Sequence, residues 1–344
     1  MATRKATSKA TTPAASADGA STGAEPAAPT KRAAPRSYAL ETCATTDVGL
    51  VREGNEDAFL VSEEEQLYVV ADGMGGHSAG EVASAFTIEA LRAFYGNDDL
   101  TKRVQAAYRR MRRAGHPIPE GEASHHALRL RKAVESANIT VFRLAQQHEQ
   151  LRDMGTTVVA AVFAGRNVHI ANVGDSRLYR LRKHKLTQLT EDHSLLNEYL
   201  RMNLLQPDEV EAFPYKNVIV RALGLQEAVA VDIFGFTVRR GDTYVLCSDG
   251  LTDLVRDAEI GAVLGQAPTA RAACVRLTDM AKARGGHDNI TVLVIKVHAP
   301  GWQPAAPTIP PPPPGLAPGA IPPPPQGAAP VHIPPPPSGP APVD

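Results

Sequence analysis

Hydrophobic positions form a pattern only between Tyr38 and Val297. Short runs rich in β-branched and aromatic residues open that region, at Tyr38–Thr46, Ala58–Ser62 and Leu67–Ala71, and predict strands. A helix is predicted from Gly80 to about Tyr95, with Val82, Phe86, Leu91 and Phe94 as its apolar face. More helix is predicted over Leu100–Arg113 and Ala123–His148, on either side of a proline-containing loop, Gly115–Gly121. A dense strand region follows, at Thr157–Phe163, Val168–Val173, Arg177–Leu181 and Leu186–Thr190, with later strands at Val231–Phe236, Thr243–Cys247 and Ile290–Val297. The helix before the last strand, about Ala270–Arg284, stops at the Gly285-Gly286 pair. Strands follow one another instead of alternating with helices. This predicts an α+β fold of antiparallel sheets with helices packed outside them.

Both ends of the chain lack such a pattern. Residues 1–36 are mostly Ala, Thr, Ser, Pro and Gly, a composition that cannot bury enough apolar surface to offset its ordering entropy, and disorder is expected there. Residues 299–344 are nearly all Pro, Ala and Gly, with Ile309, Ile321 and Ile333 each heading a proline run at a regular interval. Proline fixes φ and removes the backbone donor, so this tail is expected to be polyproline II. It would act as a spacer or dock into an aromatic-lined groove on a partner. The expected organisation is a tail over 1–36, a domain over 37–298 and a proline-rich tail over 299–344.

Composition narrows the function. The formal charge of −1 gives no general pull toward nucleic acid or membrane. No window approaches the ~20 apolar residues of a spanning helix, and no apolar core follows Arg4 and Lys5, so no secretory signal is expected. Cys43, Cys247 and Cys274 are widely spaced, without zinc-ligand spacing, and are read as buried thiols in a reducing compartment. A soluble, cytoplasmic monomer is expected.

Five short segments carry acids in unusual settings. They are Arg52-Glu53-Gly54-Asn55-Glu56-Asp57, Ala71-Asp72-Gly73-Met74-Gly75-Gly76-His77, Asn172-Val173-Gly174-Asp175-Ser176-Arg177, Cys247-Ser248-Asp249-Gly250-Leu251-Thr252-Asp253 and His287-Asp288-Asn289-Ile290-Thr291. In four of them an aspartate sits beside glycine or at the boundary of a predicted strand, where a core strand emerges. Carboxylates converging there would repel unless a cation held them, and oxygen-only ligands suit Mg²⁺ or Mn²⁺ better than zinc. Glycine beside Asp72 would leave a backbone carbonyl open to such an ion. Each segment alone is an ordinary turn; their joint occurrence is not.

Taken with Gly155-Thr156-Thr157, Leu189-Thr190-Glu191-Asp192-His193-Ser194 and Arg221-Ala222-Leu223-Gly224, these segments resemble, in order, the motifs of the PPM or PP2C-type metal-dependent protein phosphatases, in their compact bacterial branch. The resemblance covers nearly all of residues 38–298. It implies a four-layer α-β-β-α sandwich with two metal ions at one end. By that resemblance Asp72 bridges the ions, Gly73 offers its carbonyl, and Asp249 and Asp288 complete the site. Glu56 and Asp57 hold metal-bound waters, Asp175 and Asp253 surround a third, looser metal, and Arg52 grips the substrate phosphate. The implied reaction is hydrolysis of phosphoserine and phosphothreonine by a hydroxide held between two Mn²⁺ or Mg²⁺ ions, opposing Ser/Thr kinases in bacterial signalling. Phosphorylated proteins are then the partners, kinases and their substrates among them.

Two departures stand out. Met74 occupies the place where many eukaryotic members carry a histidine, a candidate general acid, and that role is not transferred to His77. The stretch from about Leu100 to His126 is longer than a minimal member needs. Residues between His193 and Asn217, including Asn197, Glu198, Arg201, Pro207, Asp208 and Pro214, resemble the flap beside the active site of bacterial members, with a solvated helix and loop as the plainer reading. Alternatives are a phosphatase dedicated to one regulatory phosphoprotein, and a scaffold recruited through the proline-rich tail. A binding module without turnover is disfavoured, because the principal metal aspartates are all present.

Overall fold

The computed structural model describes residues 38–303 except 76–78, 119–120, 122, 207–208, 211–212 and 216–217. Expectations for the N-terminal tail, for His77, Pro207 and Asp208, and for the proline runs lie outside those residues. Eleven strands and seven helices are described. The strands are β1 (Ala39–Asp47), β2 (Asp57–Ser62), β3 (Leu67–Met74), β4 (Gly155–Thr156), β5 (Val158–Ala164), β6 (Asn167–Val173), β7 (Arg177–Arg182), β8 (Lys185–Gln188), β9 (Asp232–Thr237), β10 (Thr243–Cys247) and β11 (Ile290–His298). The helices are α1 (Ala79–Gly96), α2 (Asp98–Arg113), α3 (His125–Gln147), α4 (Leu195–Arg201), α5 (Asp249–Thr252), α6 (Asp257–Gln266) and α7 (Ala270–Ala283).

Every strand pair is antiparallel. One sheet runs β1-β11-β10-β7-β8, and the other β2-β3-β5-β6-β9 with β4 paired to β3. Three apolar layers follow from the two-residue period of the strands. Tyr68, Val70, Phe163, Ile170, Tyr244, Leu246, Leu293 and Ile295 fill the space between the sheets. Leu67, Val69, Ala160 and Ala171 face the opposite way, toward α1 and α3. On the other sheet Val245, Cys247, Val292 and Val294 face α6 and α7. The fold is thus the expected α-β-β-α sandwich.

Helix boundaries follow local chemistry. The Asn97 side chain accepts from the Asp99 and Leu100 amides and starts α2 one residue after α1 ends. Ser124 and Thr269 do the same for α3 and α7. At the end of α7 the Gly286 amide donates to the Ala281 carbonyl with a left-handed φ of 46°, as the glycine pair predicts. Beyond β11 the chain stays on the domain for a few residues, with Trp302 lying flat on His298 at 3.9 Å.

Three details differ from the sequence reading. β3 continues past Ala71 to Met74, because Gly73 and Met74 pair with Thr156 and Gly155 of β4. α6, which was not predicted, covers the β7 end of its sheet with Ile260, Val263 and Leu264. The buried face of α1 is Ala83, Thr87, Ile88, Leu91, Phe94 and Tyr95, whereas Phe86 is 44% exposed. Phe86 lies on the same side of the helix as Glu89 and Ala93, both exposed, and so points outward. Leu91→Ala should therefore cost about 2–5 kcal/mol and Phe86→Ala less than about 1 kcal/mol. Urea unfolding midpoints measure both, and equal losses would mean that Phe86 faces the core.

Candidate active site

The strand period that builds the inter-sheet layer also delivers the acids. Asp72 has the parity of Tyr68 and Val70, and Asp57 that of Phe59 and Val61, so both follow apolar residues onto the inner faces. They are direct cross-strand partners in the β2–β3 register. In the opposite sheet Ser248 and Thr291 share the parity of Leu246 and Leu293. Asp249 then opens α5 and Asp288 lies just before β11. Segments separated by almost the whole domain thus reach one end of the sandwich.

Electrostatics measures how close they come. Asp72 is pushed well above the carboxylate range by desolvation and by the charges of Asp57, Asp249, Asp175 and Asp288. Burial raises Asp57 to about 7, and hydrogen bonds from Thr291 and Ser248 only partly offset that and the charges of Asp249 and Asp288. Burial and the charge of Asp249 lift Asp175 to about 7. Burial, Asp253 and Asp288 lift Asp249 to about 6. Among the described residues no three acids or histidines already form a closed cation shell. The acids share one electrostatic field.

The donor set fits hard divalent cations. Among the described residues the buried Oδ1 atoms of Asp57 and Asp175 have no hydrogen-bond partner, while the other Asp57 oxygen accepts from Ser248 Oγ at 2.7 Å. A Cβ on Gly73 would come within 2.1 Å of the Gly80 carbonyl oxygen and 2.6 Å of that of Glu56, so only glycine leaves room there. Glu56 lies against Gly80 at the start of α1, and its carboxyl is raised by burial despite the charge of Arg52. Asp253 sits one turn after Asp249, its amide donating to the Asp249 carbonyl at 2.8 Å. Arg52 reaches Asp288 at 2.8 Å, so the arginine-to-Glu56 surface pair that the i, i+4 spacing allows is replaced by a contact across the site.

Several residues that hold this geometry stand in the quoted motifs but had no role assigned to them from the sequence. Asn289 is a clamp: its Oδ1 accepts from the Glu56 amide at 2.8 Å, and its Nδ2 donates to the Val48 and Gly54 carbonyls at 2.9 Å each. It ties the loop carrying Arg52 and Glu56 to β11. Thr156 of β4 and Thr157, between β4 and β5, fix Asp72 through bonds to its carbonyl at 2.8 Å and to its amide at 3.1 Å. His193 holds the loop before Asp175: its Nδ1 accepts from the Gly174 amide at 3.0 Å. Its Nε2 lies between Asp232 at 3.1 Å and the Arg221 guanidinium at 2.9 Å, which itself pairs with Asp232. Asparagine before a strand and threonine after glycine look ordinary in sequence, so only the fold reveals their partners. Met74 packs toward Gly155, where it offers a thioether and no titratable group.

Asp57, Asp175 and Asp249 hold protons more tightly in the folded than in the unfolded chain, so the folded state takes up protons between the ordinary carboxylate range and about 7. Chelator-treated protein should accordingly lose stability as pH rises through that window. Melting temperatures at pH 5 and 7.5 test this, and a flat profile would mean that the acids do not share one field.

Comparison with known proteins agrees with this geometry. The family model described as protein phosphatase 2C matches residues 51–283. The serine/threonine phosphatase Stp of Listeria monocytogenes is 38% identical over 254 residues, which span 73% of this chain and 93% of that protein. The crystal structure of the Mycobacterium tuberculosis serine/threonine phosphatase PstP is similar, with a TM-score of 0.64 and 34% identity, over 75% of this chain and 99% of that one. A crystal structure of the PstP catalytic domain in complex with two manganese ions superposes with a TM-score of 0.61 and 34% identity, over 75% of this chain and 98% of that one. With the family motifs in order, the sandwich in place and the acids gathered at its end, the chain belongs to the protein phosphatase 2C family.

Proposed function

We propose that this protein phosphatase hydrolyses phosphoserine and phosphothreonine in other proteins at the acid-lined end of its sandwich, with two Mn²⁺ or Mg²⁺ ions held there. The observation that carries this reading is the gathering of Asp72, its cross-strand partner Asp57, Asp175 and Asp249 in one electrostatic field, with buried oxygens of Asp57 and Asp175 that have no hydrogen-bond partner among the described residues. Such a cluster holds protons only for want of a stronger positive charge. The Stp and PstP phosphatases support the substrate class, and the manganese pair of PstP supports the metal count.

In this reading Asp72, the Gly73 carbonyl, Asp249 and Asp288 would hold the two ions, and Glu56 and Asp57 would orient waters beside them. Asp175 and Asp253 flank Asp249 and would hold a third, weaker ion. Divalent ions so placed supply an acidified water and offset the charge growing on the phosphoryl oxygens. The chain's own contribution is positional. Arg52 is half-exposed and tethered to Asp288. It would exchange that carboxylate for phosphate oxygens, presenting a planar fork that stays charged at any working pH. Asn289 and His193 keep the Arg52 and Asp175 loops in register. No cysteine takes part: Cys247 and Cys274 are buried, with burial driving both thiols toward the neutral form.

The partners in this reading are phosphorylated proteins, Ser/Thr kinases and their substrates among them, with the chain acting as a monomer. α4 and the residues after it, where Tyr199, Phe213 and Tyr215 pack in a row with neighbouring centroids 5.2 and 5.9 Å apart, are placed to select them as a flap. The proline-rich tail would recruit a protein with an aromatic groove. No helix among the described residues is long and apolar enough to cross a membrane, and the three thiols are unpaired, which supports a cytoplasmic setting.

Hydrolysis of a phosphothreonine peptide should require added Mn²⁺ or Mg²⁺ and stop with chelator. Asp249→Asn should lower kcat/KM by at least about 100-fold, and turnover indifferent to chelator would sink the mechanism. Arg52→Ala should lower kcat/KM by about 10- to 100-fold, the worth of one or two charged hydrogen bonds. Steady-state kinetics on the same peptide reads this loss, and an unchanged value would remove Arg52 from the site.

A further inference from the structure

The longer stretch between α1 and α3 builds a cavity of its own. Gln105, Tyr108, Arg109, Arg112 and Arg113 recur at helical spacing along α2 and, with His125 from the first turn of α3, line a space of about 560 Å³. The Tyr108 hydroxyl donates to the Ala123 carbonyl at 2.6 Å and pins α2 to the chain entering α3. Among the described residues the lining has no acid, and none of the three guanidinium groups has an ion pair or hydrogen bond. Elsewhere on the surface Arg92, Arg201 and Arg284 each meet a glutamate. Burial and the positive charges of Arg109 and Arg129 hold His125 below the ordinary histidine range, so the cavity already has a positive potential.

Three guanidinium forks around a concavity suit a compact oxyanion with several acceptor oxygens. The chain as a whole carries a charge of −1. A polyanion such as nucleic acid needs a basic track along its backbone, whereas this is a single pocket. The cavity is also remote from the acids. α3 has 23 residues and therefore spans about 34 Å, and its far end leads to β4 beside Gly73. An extended peptide covers that distance in about ten residues.

Resting on the phosphoprotein reading above, we propose that the α2–α3 cavity docks a second phosphoryl group of the substrate, about ten extended residues from the one hydrolysed. The second phosphate adds affinity by raising the local concentration of the first at the catalytic end. Docking of this kind directs the enzyme to proteins phosphorylated at several positions and leaves chemistry on small esters untouched.

The test compares two peptides on the full chain. Each carries one phosphothreonine; the second also carries a non-hydrolysable phosphonate ten residues away. The phosphonate peptide should show a KM lower by about tenfold, the equivalent of one charged contact, with kcat unchanged. Arg109→Glu/Arg113→Glu should erase the difference and leave p-nitrophenyl phosphate turnover as it was, and the paired lysine variant should keep most of it. Both arginines are exposed, so the fold should tolerate either variant. Equal KM values for the two peptides, or an advantage that survives charge reversal, would overturn the proposal. So would arginine-dependent binding of an RNA oligonucleotide or anionic vesicles without any peptide advantage, since the occupant would then be another polyanion. Anisotropy titration of the labelled phosphonate peptide in chelator reads docking without turnover. A chain that fails to cleave p-nitrophenyl phosphate would thus count against the catalytic reading alone.

Discussion

Repulsion among carboxylates at one end of the sandwich is the constraint that most of the structure answers to. Asp57, Asp72, Asp175 and Asp249 lie near enough to raise one another's proton affinity, in surroundings that already penalise charge. Such a cluster persists only if the rest of the fold holds it in place. Here two five-membered strand paths, packed through large apolar side chains such as Tyr68, Tyr244 and Leu246, provide the stiffness. Stability of the core and tension at the site are two consequences of the same strands.

The tension is distributed by polar clamps that make no claim on the metal positions themselves. Ser248 takes one oxygen of Asp57 and leaves the other open. Thr156 and Thr157 bond to the backbone of Asp72, leaving its carboxylate for other partners. Asn289 ties three backbone groups of the loop that carries Arg52 and Glu56. His193 does the same for the loop before Asp175, with its neutral ring caught between an amide and a carboxylate. Positioning through the backbone lets each acid keep its charge chemistry while losing its freedom.

The region between α1 and α3 follows a different logic. α2 buries none of its residues completely and touches the core through Leu100 and Val104. Its arginines therefore contribute little to folding, and they gather around one cavity. In the proposed reading, catalytic chemistry and substrate docking would occupy opposite ends of α3, joined by a single rigid element.

Much of this was legible from residue order alone. Runs of β-branched and aromatic residues gave the strands, to the residue at Thr243–Cys247, and clustering of strands gave antiparallel sheets, because residue preference and short connections are local properties. The acidic segments were legible as well, since Asp-Gly at the end of an apolar run is visible without a structure. Which residues meet was decided only in three dimensions. The i, i+4 spacing offered Glu56 to Arg52, yet sheet closure brings Asp288 to it instead. Phe86 looked like core by period and faces outward, because it shares the helix side of the exposed Glu89 and Ala93. Asn289 and His193 stand in quoted motifs, yet their clamping roles were not legible, since their partners come from distant segments. Sequence dictates what each short stretch prefers by itself; contacts between stretches depend on how whole sheets and helices pack, and that is where the site was made.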